Sequence, residues 1–475
     1  MSNTRIAIVT LGHYVYFDQF EGLKQELMLK SEEFRSYLDG DRQDVVDIGY
    51  VDCVDQAFEA VKRLKKEDAD ILFVILSTYV PSAVCAQFAR YVDIPQVLVA
   101  IQPLAHLDYS HTTTYMQLAN DDVCAMPEIA GVYERMGRGI PPCIVASSAQ
   151  RDTIKKQVDE WVAAATAMAG FKYETFGYLG HTYEGMYDMH TDPTAFTAAF
   201  GAHVKMLEMC ELYKISEAVT KEEIDAKIDE ITNIFEICDP SIDPLTDYVH
   251  KSDLEYSARQ SVALDKLVHG NRLAALAYYY KSEADNPYEQ LAANLIIGNT
   301  LLTSSGIPLA GEADLKTAAA MLIMKNIGGG GSFAEIHPFD IEGDVVLIGH
   351  DGPHNIQIAQ GKPRLRKLKK YHGKSGSGLG VEFSLRSGPV TLLSINVDRN
   401  GKFRMIAAEG ESLPGDIPQT GNTNTRVSFG CDVCQFLSRW CEAGPTHHLA
   451  LGVGHHMNEL RKFSRLSGIE LIEVR

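Results

Sequence analysis

RIAIVTLGHYVYFDQFEGLKQELMLKSEEFRSYLDGDRQDVVDIGYV, residues 5–51, carries the pattern from which the fold is read. It opens on an apolar run, RIAIVTL (5–11), crosses an amphipathic stretch, DQFEGLKQELMLKSEEF (18–34), and closes on DVVDIGYV (44–51). Short runs rich in Val and Ile fit strands buried on both faces. The same alternation continues through CVDQAFEAVKRLKKE (53–67), DILFVIL (70–76), PQVLVAI (95–101) and PCIVA (142–146). Repeated strand–helix alternation predicts an α/β fold whose N-terminal domain, residues 1–170, is a Rossmann-like doubly wound sheet.

Further along, the texture changes. RDTIKKQVDEWVAAATAMAG (151–170) reads as a long helix stopped by Gly170. A short βα-like segment follows, then an acidic helical stretch, KEEIDAKIDEITNIFEI (221–237), and more helix through 254–327. Residues 171–330 are therefore expected to form a mixed α/β, helix-rich middle domain. From 331 to 475 the runs DVVLIGH, GVEFSL, VTLLSINV and FRMIAAEG alternate as antiparallel strands do, predicting a β-rich C-terminal domain. There is no internal repeat.

Composition narrows the function classes. The 475 residues carry a formal charge of −19, which offers no counterion-release gain on DNA or RNA, so nucleic acid is not an expected partner. No run of 18 apolar residues marks a membrane span, and the start lacks the long apolar core of a signal peptide. The nine cysteines are odd in number and scattered, as expected for reduced thiols. The expected location is the cytoplasm.

Three local motifs have plain structural explanations. Twelve residues separate Cys434 of the Cys431–Cys434 pair from His447, yet the second half of a zinc-finger spacing fails with His447 and His448 adjacent; CDVCQFLSRWCEAG reads instead as a helix with its cysteines against a core. KPRLRKLKKYHGKSGSGLG (362–380) contains GKS without the upstream glycine of a phosphate loop. It reads as a solvated basic loop, with an anionic part of a substrate as its alternative role. GGGG (328–331) follows a helix and fits a terminator.

The chemistry-bearing residues are distributed. AGEADLKTAAAMLIMKN (310–326) puts Glu312 at a helix start, where a lone carboxylate could do no more than complement the helix dipole. Glu335 lies on an apolar segment, where a charge is costly unless paired or metal-bound. His350 ends an apolar strand and could be a simple surface imidazole. GPTHHLALGVGHH (444–456) gathers four of the 16 histidines. As an extended segment it would send His447 and His448 to opposite faces, which argues against one shared ion. His455 and His456 read as helix-entry residues.

Taken together these stretches resemble the L-arabinose isomerase family, within the wider L-arabinose/L-fucose isomerase group, as a divergent member. GEADLKTAAAMLIMK is similar to that family's G-E-G-D-x-K-T-A-A segment, GGSFAE to its G-G-T-S-F-M-E, and VLIGH to its strand ending in a ligand histidine. THH followed by MNELRKF resembles its A-H-H and L-N-D-M-R-x-F. The resemblance implies metal ligands at Glu312, Glu335, His350 and His448, with Glu312 and Glu335 as the acid/base pair. Two carboxylates and two imidazoles suit a manganese-like divalent ion and leave positions for two oxygens of an open-chain sugar. The implied activity is aldose–ketose isomerisation through an enediolate, by a homo-oligomer (trimer or hexamer) whose sites a neighbour's N-terminal domain completes.

Departures fall in the sugar-reading residues. The family's first-loop Q-H-L-Y is similar to His13-Tyr14-Val15-Tyr16 only at Tyr16. Its N-x-N-Q-T-x-H stretch meets MQLANDDVC (116–124), with Asn120 near the Gln position and Val123 near the His. A Phe near the sugar falls around Lys281 or Ser282. His13, Tyr16, Asn120 and Lys281 are accordingly the expected substrate contacts. They point to an L-arabinose-like pentose or a C6-modified hexose such as sulfoquinovose, on which some of the wider group act. A non-catalytic sugar-binding or regulatory protein on the same fold is the alternative. A metal-assisted hydrolase is disfavoured because no separate leaving-group acid is present.

Overall fold

The computed structural model describes residues 4–41, 43–283, 285–352, 354–371 and 377–475. The chain divides into two units, Met1–Ala169 and Gly170–Arg475. In the first, the opening run becomes β1 (Thr4–Leu11), followed by β2 (Gln43–Val51), β3 (Ile71–Leu76), β4 (Gln96–Gln102) and β5 (Cys143–Ser147). All pair in parallel in the order 2-1-3-4-5, a doubly wound sheet. The expected alternation explains the burial. Ala7, Val9 and Leu11 pack with Ala57, Val61, Val84 and Phe88 on one face, while Phe73, of the other parity, meets Phe34 at 5.1 Å on the opposite face. Chain reversal between β1 and β3 opens the crevice at which such sheets bind ligands, and His13 and Tyr16 follow β1 there.

The second unit begins with β6 (Thr175–Gly180) and β7 (His203–Leu207), the short β8 (Glu236–Ile237) and β9 (Thr246–Asp247), then β10 (Leu273–Tyr279) and β11 (Leu309–Ala310). β11, β10, β6 and β7 form a parallel sheet in that order. Unbroken helix through 254–327 is therefore not what forms. The helix Lys251–Gly270 ends, and LAALAYY becomes β10, an interior strand of this sheet. An apolar run buried on both faces has no period-2 signature, so a strand there reads like core helix.

The C-terminal strands are β12 (Ser332–Asp340), β13 (Val345–His350), β14 (Arg364–Leu368), β15 (Gly380–Glu382), β16 (Gly388–Val397), β17 (Phe403–Leu413), β18 (Thr423–Ser428), β19 (His448–Val453) and β20 (Glu470–Glu473). Antiparallel pairing runs 16-19-12-13-18-17, and β17 pairs back to β16, so these strands close into a barrel. β20 adds to β17 in parallel. β14 instead joins β15, β8 and β9 in a small separate sheet. Leu276 of the parallel sheet and Leu392 and Leu451 of the barrel belong to one core. Between the two layers lies the helix Leu315–Asn326, in contact with β10, β16 and β19 and buried almost throughout, hence its alanines.

Two local expectations are corrected. In CDVCQFLSRWCEAG the helix is Val433–Glu442, but its buried face is Val433, Phe436 and Trp440; Cys434 and Cys441 are exposed and Cys431 half-buried. Apolar rings outcompeted small thiols for the core. The basic run is not wholly a solvated loop either. Residues 364–368 are β14, and Arg366 is buried between Asp243 and Glu382, at 2.7 and 2.8 Å. The GKS triplet begins at residue 373 and lies outside the described residues.

Candidate metal centre and substrate cavity

Barrel register assembles three of the candidate side chains. Glu335 on β12 sits opposite Gly349 of β13 on one side and His448 of β19 on the other, and His350, the last residue of β13, turns its imidazole toward both. A side chain at Gly349 would run into the Thr423 carbonyl, 1.8 Å from its Cβ, so glycine is what lets these strands close up. Glu312 arrives from the other layer, in a tight turn, Gly311–Ala313, between β11 and the buried helix. Glu312 and Ala313 hold φ of +57° and +58°. For side-chain-bearing residues that costs roughly 1–2 kcal/mol each, and such strain persists only where the surroundings impose it.

Donor atoms of Glu335, His350 and His448 lie within 4.8 Å of one another, and so do those of Glu312, His447 and His448. Glu312 Oε2 is 3.6 Å from His448 Nε2 and 3.9 Å from His447 Nε2. Glu312 Oε2, His447 Nε2 and His448 Nε2 are all buried without a hydrogen-bond partner. Buried polar atoms left unpaired cost about 1–3 kcal/mol each. One cation among them would satisfy the carboxylate and an imidazole lone pair together, so the donor set fits a divalent ion.

The surrounding groups aim these donors. His448 is fully buried, and its Nδ1 lies 3.2 Å from Asp314 Oδ2; donation there leaves the Nε2 lone pair facing Glu312. Asp314 also caps the buried helix, accepting from the backbone N–H groups of Lys316 and Thr317. Burial pushes its carboxyl up, but Lys316 and His448 outweigh that and hold it well below the usual range. Asp351 Oδ1 stands 3.3 Å from His350 Nδ1. His337 bridges Asn424 Oδ1 (2.5 Å) and Glu335 Oε1 (3.1 Å). Burial raises Glu335, yet the His337 bond and the nearby His350 bring its carboxyl down to about 2. Burial lowers His448, with His350 and His447 adding to it against Asp314.

His447 departs from expectation. Strand geometry would have turned it away from His448, but β19 starts only at His448. Asp188 Oδ2 accepts from the His447 backbone N–H at 3.0 Å and lies 2.7 Å from its Nδ1, and the two imidazole centroids are 3.9 Å apart. Burial opposes the charge on His447, but Glu312 and Asp188 push its imidazole up to about 9.

A cavity of about 540 Å³ opens on this cluster. Glu312, Glu335 and His350 share its lining with Tyr183, Tyr278 and Lys281. The other expected substrate contacts belong to the first unit. His13 packs edge-on against Tyr16 and Tyr79, at centroid distances of 5.1 and 6.1 Å. Asn120 is buried and spends its amide on the loop, accepting from Leu104 N–H and donating to the Met116 carbonyl.

Asp188, Asp314, Asp351 and His447 were not anticipated. Asp314 had a signal, an Asp directly before a helical run, the N-cap pattern. Asp188 had none, being 259 residues from the imidazole it holds.

Comparison with known proteins bears on the second unit most directly. The family model for the L-arabinose isomerase central domain matches residues 188–330, and that for the L-arabinose isomerase C-terminal domain matches 330–470. A protein of Cellvibrio japonicus named L-arabinose isomerase is 23% identical over 413 residues, covering 85% of this chain and 80% of its own. One of Acidothermus cellulolyticus with that name is 22% identical over 389 residues, covering 79% and 75%. One of Saccharophagus degradans is 24% identical over 338 residues, covering 70% of this chain and 66% of its own length.

Proposed function

Since the chain belongs to the L-arabinose isomerase family, we propose that it is a metal-dependent aldose–ketose isomerase, an intramolecular oxidoreductase acting through an enediolate on an open-chain sugar. The observation that carries this reading is the clustering of Glu312, Glu335, His350 and His448 donor atoms beside one cavity, which Glu312, Glu335 and His350 line, with Glu312 Oε2 and His448 Nε2 buried and unpaired. These residues would hold the ion; two carboxylates and two imidazoles favour manganese. When bound, it supplies Lewis-acid polarisation of the sugar carbonyl.

The protein groups supply the proton chemistry. One of the two carboxylates takes the C2 proton and returns it to C1, and the other exchanges the hydroxyl proton. Glu335 is ionised at neutral pH because His337 and His350 favour its charge. The His447 imidazolium, held by Asp188, is a donor beside Glu312, where it steadies that carboxylate's charge. Tyr183, Tyr278 and Lys281 give the sugar polar tips and ring faces. The substrate is an L-arabinose-like pentose or a C6-modified hexose such as sulfoquinovose. The protein works in the cytoplasm as a trimer or hexamer; no described helix is long and apolar enough to cross a membrane.

Glu312→Gln and Glu335→Gln test the assignment. Each should lower kcat by about 10³-fold or more with an unchanged circular-dichroism spectrum, as expected for loss of a proton-transferring group. Near-normal turnover in either variant would remove that residue from the mechanism.

A further inference from the structure

The segment 181–192 joins β6 to the helix Pro193–Phe200 and contains one short turn, Tyr187–Met189. Tyr183 and Met186 line the cavity beside the metal cluster, and Asp188 holds His447. His190, Thr191 and Asp192 line a separate cavity, of about 450 Å³. A segment bordered by cavities takes its position from point attachments rather than from close packing on every side. The strongest of these comes from Lys316, in the first turn of the buried helix Leu315–Asn326. Lys316 is 1% exposed; its Nζ donates to the Met189 carbonyl at 2.8 Å and to Thr191 Oγ1 at 3.0 Å, and lies 3.6 Å from Asp314 Oδ1. Asp314 orients His448, and Asp188, the neighbour of Met189, orients His447. The supports of two adjacent imidazoles therefore meet at one ammonium.

A buried charge is costly, and a methionine of similar volume would fill the same space without it; such replacements are often neutral or stabilising. Stability alone does not call for lysine here. Resting on the isomerase reading, we propose that Lys316 is a positioning residue that clamps the 181–192 segment. Through the clamp it sets the cavity wall at Tyr183 and Met186 and delivers Asp188 to His447. Asp314 depends on it less, because it also accepts from the Lys316 and Thr317 backbone N–H groups and the Thr317 hydroxyl. The lysine thus governs the substrate wall more than the metal.

The test uses the full-length protein with manganese. In Lys316→Met, hydrogen exchange should quicken at the amides of 181–192 and stay unchanged elsewhere. Ala319→Leu, in the same helix, should lower stability without quickening exchange in that segment. kcat/KM for the aldose turned over fastest should fall by about tenfold or more in Lys316→Met and in Asp188→Asn. The double variant should be no worse than the poorer single one, because both changes break one linkage. Manganese affinity should stay close to that of the unaltered protein in Lys316→Met. If that variant does not fold, Thr191→Val, at a half-buried position, removes one of the two acceptors and should give the same pattern at smaller size. Unchanged exchange in 181–192, or additive losses in the double variant, overturns the clamp and leaves the isomerase reading standing. Exchange that quickens there in a protein that isomerises no sugar upholds the clamp and removes the isomerase reading.

Discussion

Asp314 performs two tasks with one carboxylate, capping the buried helix and fixing the His448 tautomer. Asp314→Ala should therefore weaken manganese binding by about 10–100-fold, since groups that orient a ligand histidine carry effects of that size. It should also cost about 1 kcal/mol of stability through the lost cap. Competition titration with a chromogenic chelator reads the first, and thermal unfolding of the metal-free protein the second. A loss of stability with unchanged metal affinity would reduce Asp314 to a cap. At this scale the sequence singled out Glu335 as a charge in an apolar run, but the set Glu312, Glu335, His350 and His448 came from the family resemblance, since His350 at a strand end reads equally as a surface imidazole. The sequence was illegible where the role is created by a distant partner. His447 has nothing in its own surroundings that announces Asp188, and assuming β geometry one residue too early turned it the wrong way.

Elements tell a similar story. The first-unit strands were readable because βαβ alternation repeats with little interruption, whereas β10 was masked by burial on both faces between long helices. The helix Leu315–Asn326 lies between two sheet layers, and Ala318, Ala319 and Ala320 are fully buried in it. Ala319→Leu should cost about 1–3 kcal/mol by overpacking, seen as a lower denaturation midpoint. No change would mean that the layers are less tightly apposed than described. β20 is tied to the last helix through Glu473, whose carboxyl Arg461 and Arg475 hold at about 2 against a small opposing effect of burial. A depressed folded pKa adds stability above the ordinary carboxylate value, near 4.3, that is lost as pH falls toward 2. Arg461 is 44% exposed, so solvent screening limits the contribution to about 1 kcal/mol or less. Glu473→Gln should flatten the acid limb of stability by that amount in urea titrations between pH 5 and 2.5; an unaltered limb would show the pair to be energetically neutral.

At the scale of the whole molecule, a Rossmann-like sheet, a second parallel sheet and a closed barrel are joined in one chain, and the candidate centre forms where the barrel register meets the turn after β11. Sequence texture indicated the order of these layers but not barrel closure, because the β16–β17 pairing that seals the ring leaves no local mark. The central claim is that Glu312, Glu335, His350 and His448 hold a divalent ion on which aldose–ketose isomerisation depends. Its most direct test is ketose formation from a panel of neutral and C6-modified aldoses. The protein is assayed after exhaustive chelation, after readdition of manganese, and in both states for Glu335→Gln. The expected result is no ketose after chelation, restored ketose from at least one aldose with manganese, and none from the variant. Ketose formation that survives thorough chelation, or that persists in Glu335→Gln, would contradict it.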